Sequence, residues 1–305
     1  MITPNAFLFA DADFTVVDVI HDYVSFVGSF FVVGAVAFYF LLLRPAVASD
    51  SPALSLAART AARIGVFGGL LLLLSTLMSV MARMNAKHLT FVEVLSANHN
   101  VAIGAVATIF AILAFAAAGF AAGNLSLEWG IAAVATLFVA LRGAITTNPE
   151  RAVNPLHVFA ASMWMGTLFV LVVAGISTFM KGALQKGEAG PAVATMVNRF
   201  STLALWSAGL LVLTGLTTAY LHVRKLPALW TTIYGQTLLV KLCLVAVVFT
   251  LGAYNNMRVK PSLGADESNR RIYRSAIGEL SVAAIVLIVT AVLVNLPAPA
   301  EHMAH

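Results

Sequence analysis

Eight long apolar segments, separated by short polar stretches, dominate the sequence. They cover residues 19–43, 64–82, 101–122, 125–141, 156–180, 203–222, 236–257 and 276–296. A membrane-spanning helix needs about 20 apolar residues, with a range of roughly 17–25. The strands of a membrane barrel would be shorter and would alternate between apolar and polar positions. The pattern therefore predicts an all-α, polytopic membrane bundle of about eight transmembrane helices, of which the fourth is the shortest.

The positions of the basic residues predict how this bundle is oriented. The odd-numbered connections between spans carry eleven Lys and Arg residues, and the even-numbered connections carry six. Positive charge is retained on the cytoplasmic side, so both termini are expected to be extracytoplasmic. Only 10% of the chain is charged and 60% is hydrophobic, and the basic loops fit contact with anionic lipid rather than nucleic acid. We expect two halves, an N-terminal four-helix half at 1–150 and a second half at 151–305.

The predicted orientation places the histidines on one side of the membrane. Under that topology all seven histidines lie at or near the outer face, where His21, His99 and His157 open spans one, three and five at similar depth. Neutral imidazole is the commonest transition-metal side-chain ligand, so three neighbouring helices could bring these rings together at one metal. The alternative for each single histidine is a hydrogen bond to a neighbouring helix.

The stretch from Asn154 to Gly166 combines imidazole, thioether and indole groups. Pro155 fits the first turn of a helix, and His157 then shares a helix face with Trp164. Imidazole together with thioether favours copper, although methionines at helical spacing also serve simply as packing. The predicted metal ligands are His21, His99, His157, Met163, Met165 and His222, with His88, His302, Met303 and His305 as secondary candidates.

Other polar residues sit close to or inside the apolar segments. Asp18 and Asp22 lie on the same helix face as His21 and either orient its imidazole or form a solvated helix start. Lys241 and Glu279 lie within spans seven and eight, near opposite membrane faces, where ionisable groups tend to mark function. Glu279 is expected to pair with Arg258 or Arg274, or to help release a cation inward.

The single cysteine, Cys243, excludes an internal disulfide and a Cys-rich metal site. Because it lies in an apolar run, we expect it to be a small buried side chain.

Several short patterns in the second half are similar to those of a known family. They are His157 with Trp164 and Gly166, Arg199-Phe200-Ser201, Thr214-Gly215-Leu216, the T-x-Y-G-x-x-L-L-x-K pattern from Thr232 to Lys241, Asn255 with Pro261, and Glu279 before Pro297. From about residue 154 to residue 296 the chain resembles the CopD family of copper-resistance membrane proteins. The resemblance implies a multi-pass protein of a bacterial inner membrane that moves copper from the periplasm toward the cytoplasm. It also implies a separate periplasmic CopC-like copper-binding partner.

Three functions remain open on the sequence alone. The first is copper transport, or copper binding and delivery, from a His and Met site on the periplasmic face. The second is a membrane protein that binds haem b through two histidines near the outer face. The third is a structural membrane subunit without an ion or cofactor. We do not expect an enzyme, because the chain has no H-E-x-x-H, P-loop or G-x-S-x-G motif.

Overall fold

The computed structural model describes residues 15–48, 51–120, 126–145, 148–180, 189–223, 226–255, 257 and 266–297. Within them, eight helices are long and apolar enough to cross a membrane, which confirms the predicted all-α polytopic bundle. These helices are α1 (Val16–Ala46), α2 (Pro52–Lys87), α3 (His99–Phe120), α4 (Leu127–Ala144), α5 (Arg151–Phe179), α6 (Ala189–Val223), α7 (Ile233–Tyr254) and α8 (Tyr273–Leu293). The short fourth span is therefore present. The side of the membrane on which each terminus lies stays a prediction.

Three wide π-helical segments interrupt the two helices α1 and α5. They are Phe38–Leu43 in α1, and Ser162–Gly166 and Leu171–Ile176 in α5. Such segments are rare and occur often at functional sites. A π turn holds more residues than an α turn, so each one changes the direction in which the following side chains point. The apolar pattern alone does not reveal these changes of register.

Several helices extend beyond the apolar segments that predicted them. Helix α2 starts at Pro52, and the Ser51 side chain caps it by accepting a hydrogen bond from the Ala53 N–H at 3.3 Å. It ends where His88 adopts a left-handed backbone with φ of 51°, as is common just after a helix. Two short helices, Phe91–Ala97 and Ala228–Thr231, lie in the connections before α3 and α7. The helix that contains α8 begins at Asp266.

Helices α1 and α5 form the centre of the bundle. In their most apolar windows 61% and 72% of the residues are buried, against no more than 33% in the other six helices. The two helices cross at Gly34 and Gly166, where a Cβ added to Gly34 would lie 2.3 Å from the Gly166 carbonyl carbon. Small residues allow this close backbone approach between membrane helices. The crossing fixes α5, and with it His157 and Trp164, against the rest of the protein.

Both predicted halves contribute to one hydrophobic core. Buried side chains of α1 to α4 pack in the same cluster as those of α5, α6, α7 and α8. The division at residue 150 stays a prediction of chain organisation.

Candidate functional site

His157 is held by a hydrogen bond across the interface of α5 and α6. Its Nδ1 lies 2.9 Å from the Thr214 hydroxyl oxygen. That hydroxyl donates its single hydrogen to the Leu210 carbonyl oxygen at 2.7 Å. His157 must therefore donate from Nδ1–H, which leaves the lone pair on Nε2 free to bind a ligand. The structure thus fixes the imidazole in a form that can coordinate a metal.

Lys241 on α7 interacts electrostatically with His157. Gly215 on α6 lies against the imidazole, since a Cβ added there would be 3.4 Å from the His157 ring carbon Cε1. The site between α5, α6 and α7 therefore combines one free imidazole nitrogen with one ammonium group.

A second polar group lies further along α6. The His222 Nδ1–H donates to the Thr218 carbonyl oxygen at 2.9 Å, and the ring stacks on Tyr234 with centroids 6.0 Å apart. The Thr218 hydroxyl donates to Asn154 at 3.4 Å. His222 is thus hydrogen-bonded within its own helix and stacked on an aromatic ring. These contacts fit a structural role for His222 rather than the role of a metal ligand.

A cavity of about 300 Å³ lies between α5, α6, α7 and α8. Its lining is mostly aliphatic with three aromatic rings, and the ring centroids of Trp164 and Phe249 are 5.0 Å apart. Its polar lining residues are Ser201, Asn255 and Glu279. Trp164 follows His157 by seven residues on α5, which is roughly 10 Å along a helix axis. The cavity therefore begins about two turns from the His157 imidazole.

Glu279 is a buried carboxyl at this cavity, with 4% of its surface exposed. The Asn255 side-chain N–H donates to Glu279 Oε1, and the Ser275 hydroxyl donates to Asn255 Oδ1. The expected partner Arg274 is exposed instead, so that pairing is wrong, and Arg258 lies outside the described residues. Within the part of the chain that the structure describes, Glu279 is held by a neutral amide rather than by a basic side chain.

The remaining predicted ligands are placed apart from this site. The His21 Nδ1 is 3.0 Å from Asp22 Oδ1, and Asp22 Oδ2 accepts a hydrogen bond from Asn295 at 2.7 Å. His99 is exposed at the start of α3, and His88 is exposed at the end of α2. Among the described residues, no group of three or more His, Cys, Asp or Glu side chains is arranged to hold a metal ion. The expected meeting of His21, His99 and His157 is therefore absent from the described part of the chain.

The other predicted residues have structural contacts. Met165 is buried in the core, and Met163 packs against the same cluster. Asp18 accepts hydrogen bonds from the Thr15 N–H and hydroxyl, at 2.8 and 2.7 Å, and so caps α1. Cys243 is exposed on the surface of the bundle, so the expectation of a buried cysteine is wrong. His302, Met303 and His305 lie outside the described residues.

Sequence reasoning missed the two contacts that define the site. Thr214 and Asn255 belong to the patterns that carry the resemblance, and neither position carries a local pattern that points to its partner. The useful signal was the presence of a polar residue on an apolar helix.

Comparison with known proteins supports the predicted family. Residues 194–293 match the sequence profile of CopD, described as Copper resistance protein D. The chain is 32% identical over 146 residues to a Bacillus subtilis (strain 168) protein named "Copper transport protein CutJ". That alignment covers 48% of this chain and 25% of the relative, so this stretch corresponds to a quarter of the relative's length. No solved structure matches the chain.

The chain is thus a multi-pass membrane protein in which residues 194–293 match the CopD profile. A bacterial inner membrane location fits this match. The matched region includes Thr214, Lys241, Asn255 and Glu279, while His157 lies before it.

Proposed function

We propose that this protein transports copper across a bacterial inner membrane and that His157 receives the ion in the outer half. The observation that carries the proposal is the arrangement of α5. A histidine with a free Nε2 lies about two turns before Trp164, and Trp164 lines a cavity that ends at the buried Glu279. The matched copper-resistance profile and the name of the similar protein support copper as the transported ion.

His157 contributes one nitrogen ligand, and copper in proteins is held by several ligands. The other ligands would come from outside the described groups, such as a periplasmic CopC-like donor protein or the predicted tail with His302, Met303 and His305. The incoming ion would then pass through a mixed complex that is shared between the donor and His157. This fits delivery and transport better than permanent storage.

Lys241 favours release of the ion from the site. Lys241 interacts electrostatically with His157, and an ammonium group repels a cation bound at the imidazole, most strongly where little water screens the repulsion. A transport site must bind strongly enough to accept an ion and weakly enough to pass it on. Lys241 would therefore shorten the time for which copper stays at His157.

Copper uptake into proteoliposomes tests the proposal. The wild-type protein should take up Cu(I), and His157→Ala should lose most of this uptake because the only free imidazole of the site is removed. His88→Asn is the matched control, because it replaces an exposed histidine by a residue that tolerates a left-handed backbone. This variant should behave as the wild type.

Three results would contradict the proposal, the first only in the role that it gives to His157. Equal uptake by His157→Ala and the wild type would remove His157 from the path. A Soret band in untreated protein, without copper uptake, would establish the haem b alternative. Absence of both copper uptake and haem would favour the structural subunit.

A further inference from the structure

We propose that Glu279 exchanges a proton for the transported cation, so that copper and protons move in opposite directions across the membrane. The inference rests on the proposed copper transport and names how that transport is coupled. It is carried by the position of the carboxyl group at the cavity.

Gly252 opens the space into which the carboxyl group faces. A Cβ at Gly252 would lie 4.0 Å from Glu279 Oε2 and 3.9 Å from the Trp164 ring carbon Cζ2. The carboxyl oxygen and the indole edge therefore border the same point of the cavity. A cation at this point would meet a negative counter-charge in a largely apolar cavity.

The other carboxyl oxygen of Glu279, Oε1, is held by a chain of hydrogen bonds. Glu279 Oε1 accepts from the Asn255 amide, which in turn accepts from the Ser275 hydroxyl. Ser275 lies near the beginning of α8, and Asn255 follows the end of α7. These hydrogen bonds leave Oε2 for the cavity, and they form a polar chain from the carboxyl group to one end of the two helices.

Among the described residues that line the cavity, Glu279 is the only one with an ionisable side chain. The charged or titratable groups on the helices packed around α8 lie elsewhere in the described structure. Asp18, His21, Asp22, Tyr23, Arg151, His157, Tyr220, His222 and Lys241 lie near the predicted outer ends of their helices. Tyr39 stacks on Trp129, and the exposed groups are Arg44, Arg199, Arg274, Cys243 and Tyr254. Tyr273, one and a half turns before Glu279, packs against the core.

The exchange of a proton for the cation follows from the free-energy cost of a net charge at a buried site in the membrane. An isolated charge in an apolar membrane interior is expensive, and a buried carboxyl avoids this cost when it binds a proton. The entry of Cu(I) beside Glu279 would displace that proton through the cavity toward the outer side, which keeps the charge of the site constant. After the ion has left inward, the carboxylate would bind a new proton from the cytoplasmic side, where Asn255 and Ser275 lie. Each cycle then carries one proton outward for each Cu(I) carried inward, with no change in oxidation state.

Simultaneous measurement of copper and protons tests the exchange. Proteoliposomes hold a pH-sensitive dye and a copper chelator inside, and a potassium ionophore clamps the membrane potential. Wild-type uptake of Cu(I) should raise the internal pH, with about one proton lost per ion because the site keeps its charge. Glu279→Gln should abolish this proton movement while leaving Cu(I) binding at His157 unchanged. Glu128→Gln is the matched control, a carboxyl on α4 that does not line the cavity.

A second variant addresses the cavity itself. Gly252→Val would fill the space between Trp164 and Glu279, and should block both copper and proton movement while the outer binding site persists. A third measurement needs no copper. The infrared absorption of a protonated carboxyl should appear as the pH of the purified protein is lowered, and should be missing from Glu279→Gln.

The outcomes separate the two proposals. Wild-type copper uptake without proton movement, or proton movement that survives in Glu279→Gln, would overturn the exchange and leave copper transport in place. No copper uptake by the wild type would overturn both. A Glu279-dependent infrared signal with coupled fluxes would support both.

Discussion

At the scale of single residues, the bond between His157 and Thr214 decides the chemistry of the outer site. The hydroxyl hydrogen is used at Leu210, so the imidazole hydrogen lies on Nδ1 and the free lone pair on Nε2. A partner that holds a metal-binding histidine fixes both its tautomer and its ring orientation. Thr214 therefore acts on a bound ion through His157, without touching the ion.

Replacing Thr214 tests this positioning role. Thr214→Val keeps the shape of the side chain and removes the acceptor for Nδ1–H. We expect Cu(I) affinity to fall by roughly 10–100-fold, as is usual when such a partner is lost. Competition with a coloured Cu(I) chelator measures this affinity. Thr214→Ser keeps the hydroxyl and should bind as the wild type, and equal affinity in Thr214→Val would show that the bond has no such role.

At the scale of helices, the crossing of α1 and α5 depends on two glycines. A Cβ on Gly166 would lie 2.1 Å from the Phe30 carbonyl oxygen, a distance that requires the backbones to separate. Gly166→Ala should therefore destabilise the protein by about 1–3 kcal/mol, the usual cost of overpacking. Thermal unfolding in detergent measures the change.

Gly209 on α6 provides the control for this crossing. It has no atom within 4 Å of an added Cβ, so Gly209→Ala should be neutral or slightly stabilising, because alanine favours helix. A Gly166→Ala protein as stable as Gly209→Ala would show that the helices tolerate a wider crossing.

The short helix Phe91–Ala97 carries a pH-dependent cap outside the membrane spans. The Thr90 N–H and hydroxyl donate to Glu93 at 2.7 Å each, and these bonds lower the pKa of the Glu93 carboxyl. A lowered folded pKa means that the stabilisation is complete above the ordinary value of roughly 4.3 and is lost as the pH falls through the folded value. Amide hydrogen exchange of this helix should show more protection in the wild type than in Glu93→Gln at neutral pH. The difference should disappear in acid, and a difference that persists there would contradict the cap.

At the scale of the whole molecule, the sequence predicted the elements better than their contacts. The length of the apolar segments alone identified eight spans, because a helix must be long and apolar to cross a lipid bilayer. Contacts such as those between His157 and Thr214 join residues far apart in the chain, and the register of α5 also depends on its π segments. Periodicity cannot reveal either feature. Matching depth of three histidines was therefore insufficient to predict that they meet.

The orientation of the bundle is the remaining prediction at this scale, and it determines which site faces the periplasm. Eleven basic residues in the odd-numbered connections against six in the even-numbered ones should keep the odd-numbered connections in the cytoplasm. His157 would then lie in the periplasmic half and Glu279 in the cytoplasmic half. Alkaline phosphatase fused after His305 should be active, and green fluorescent protein fused there should be dark. The opposite result would place His157 in the cytoplasmic half and Glu279 toward the periplasm, and would contradict uptake of copper from the periplasm through His157.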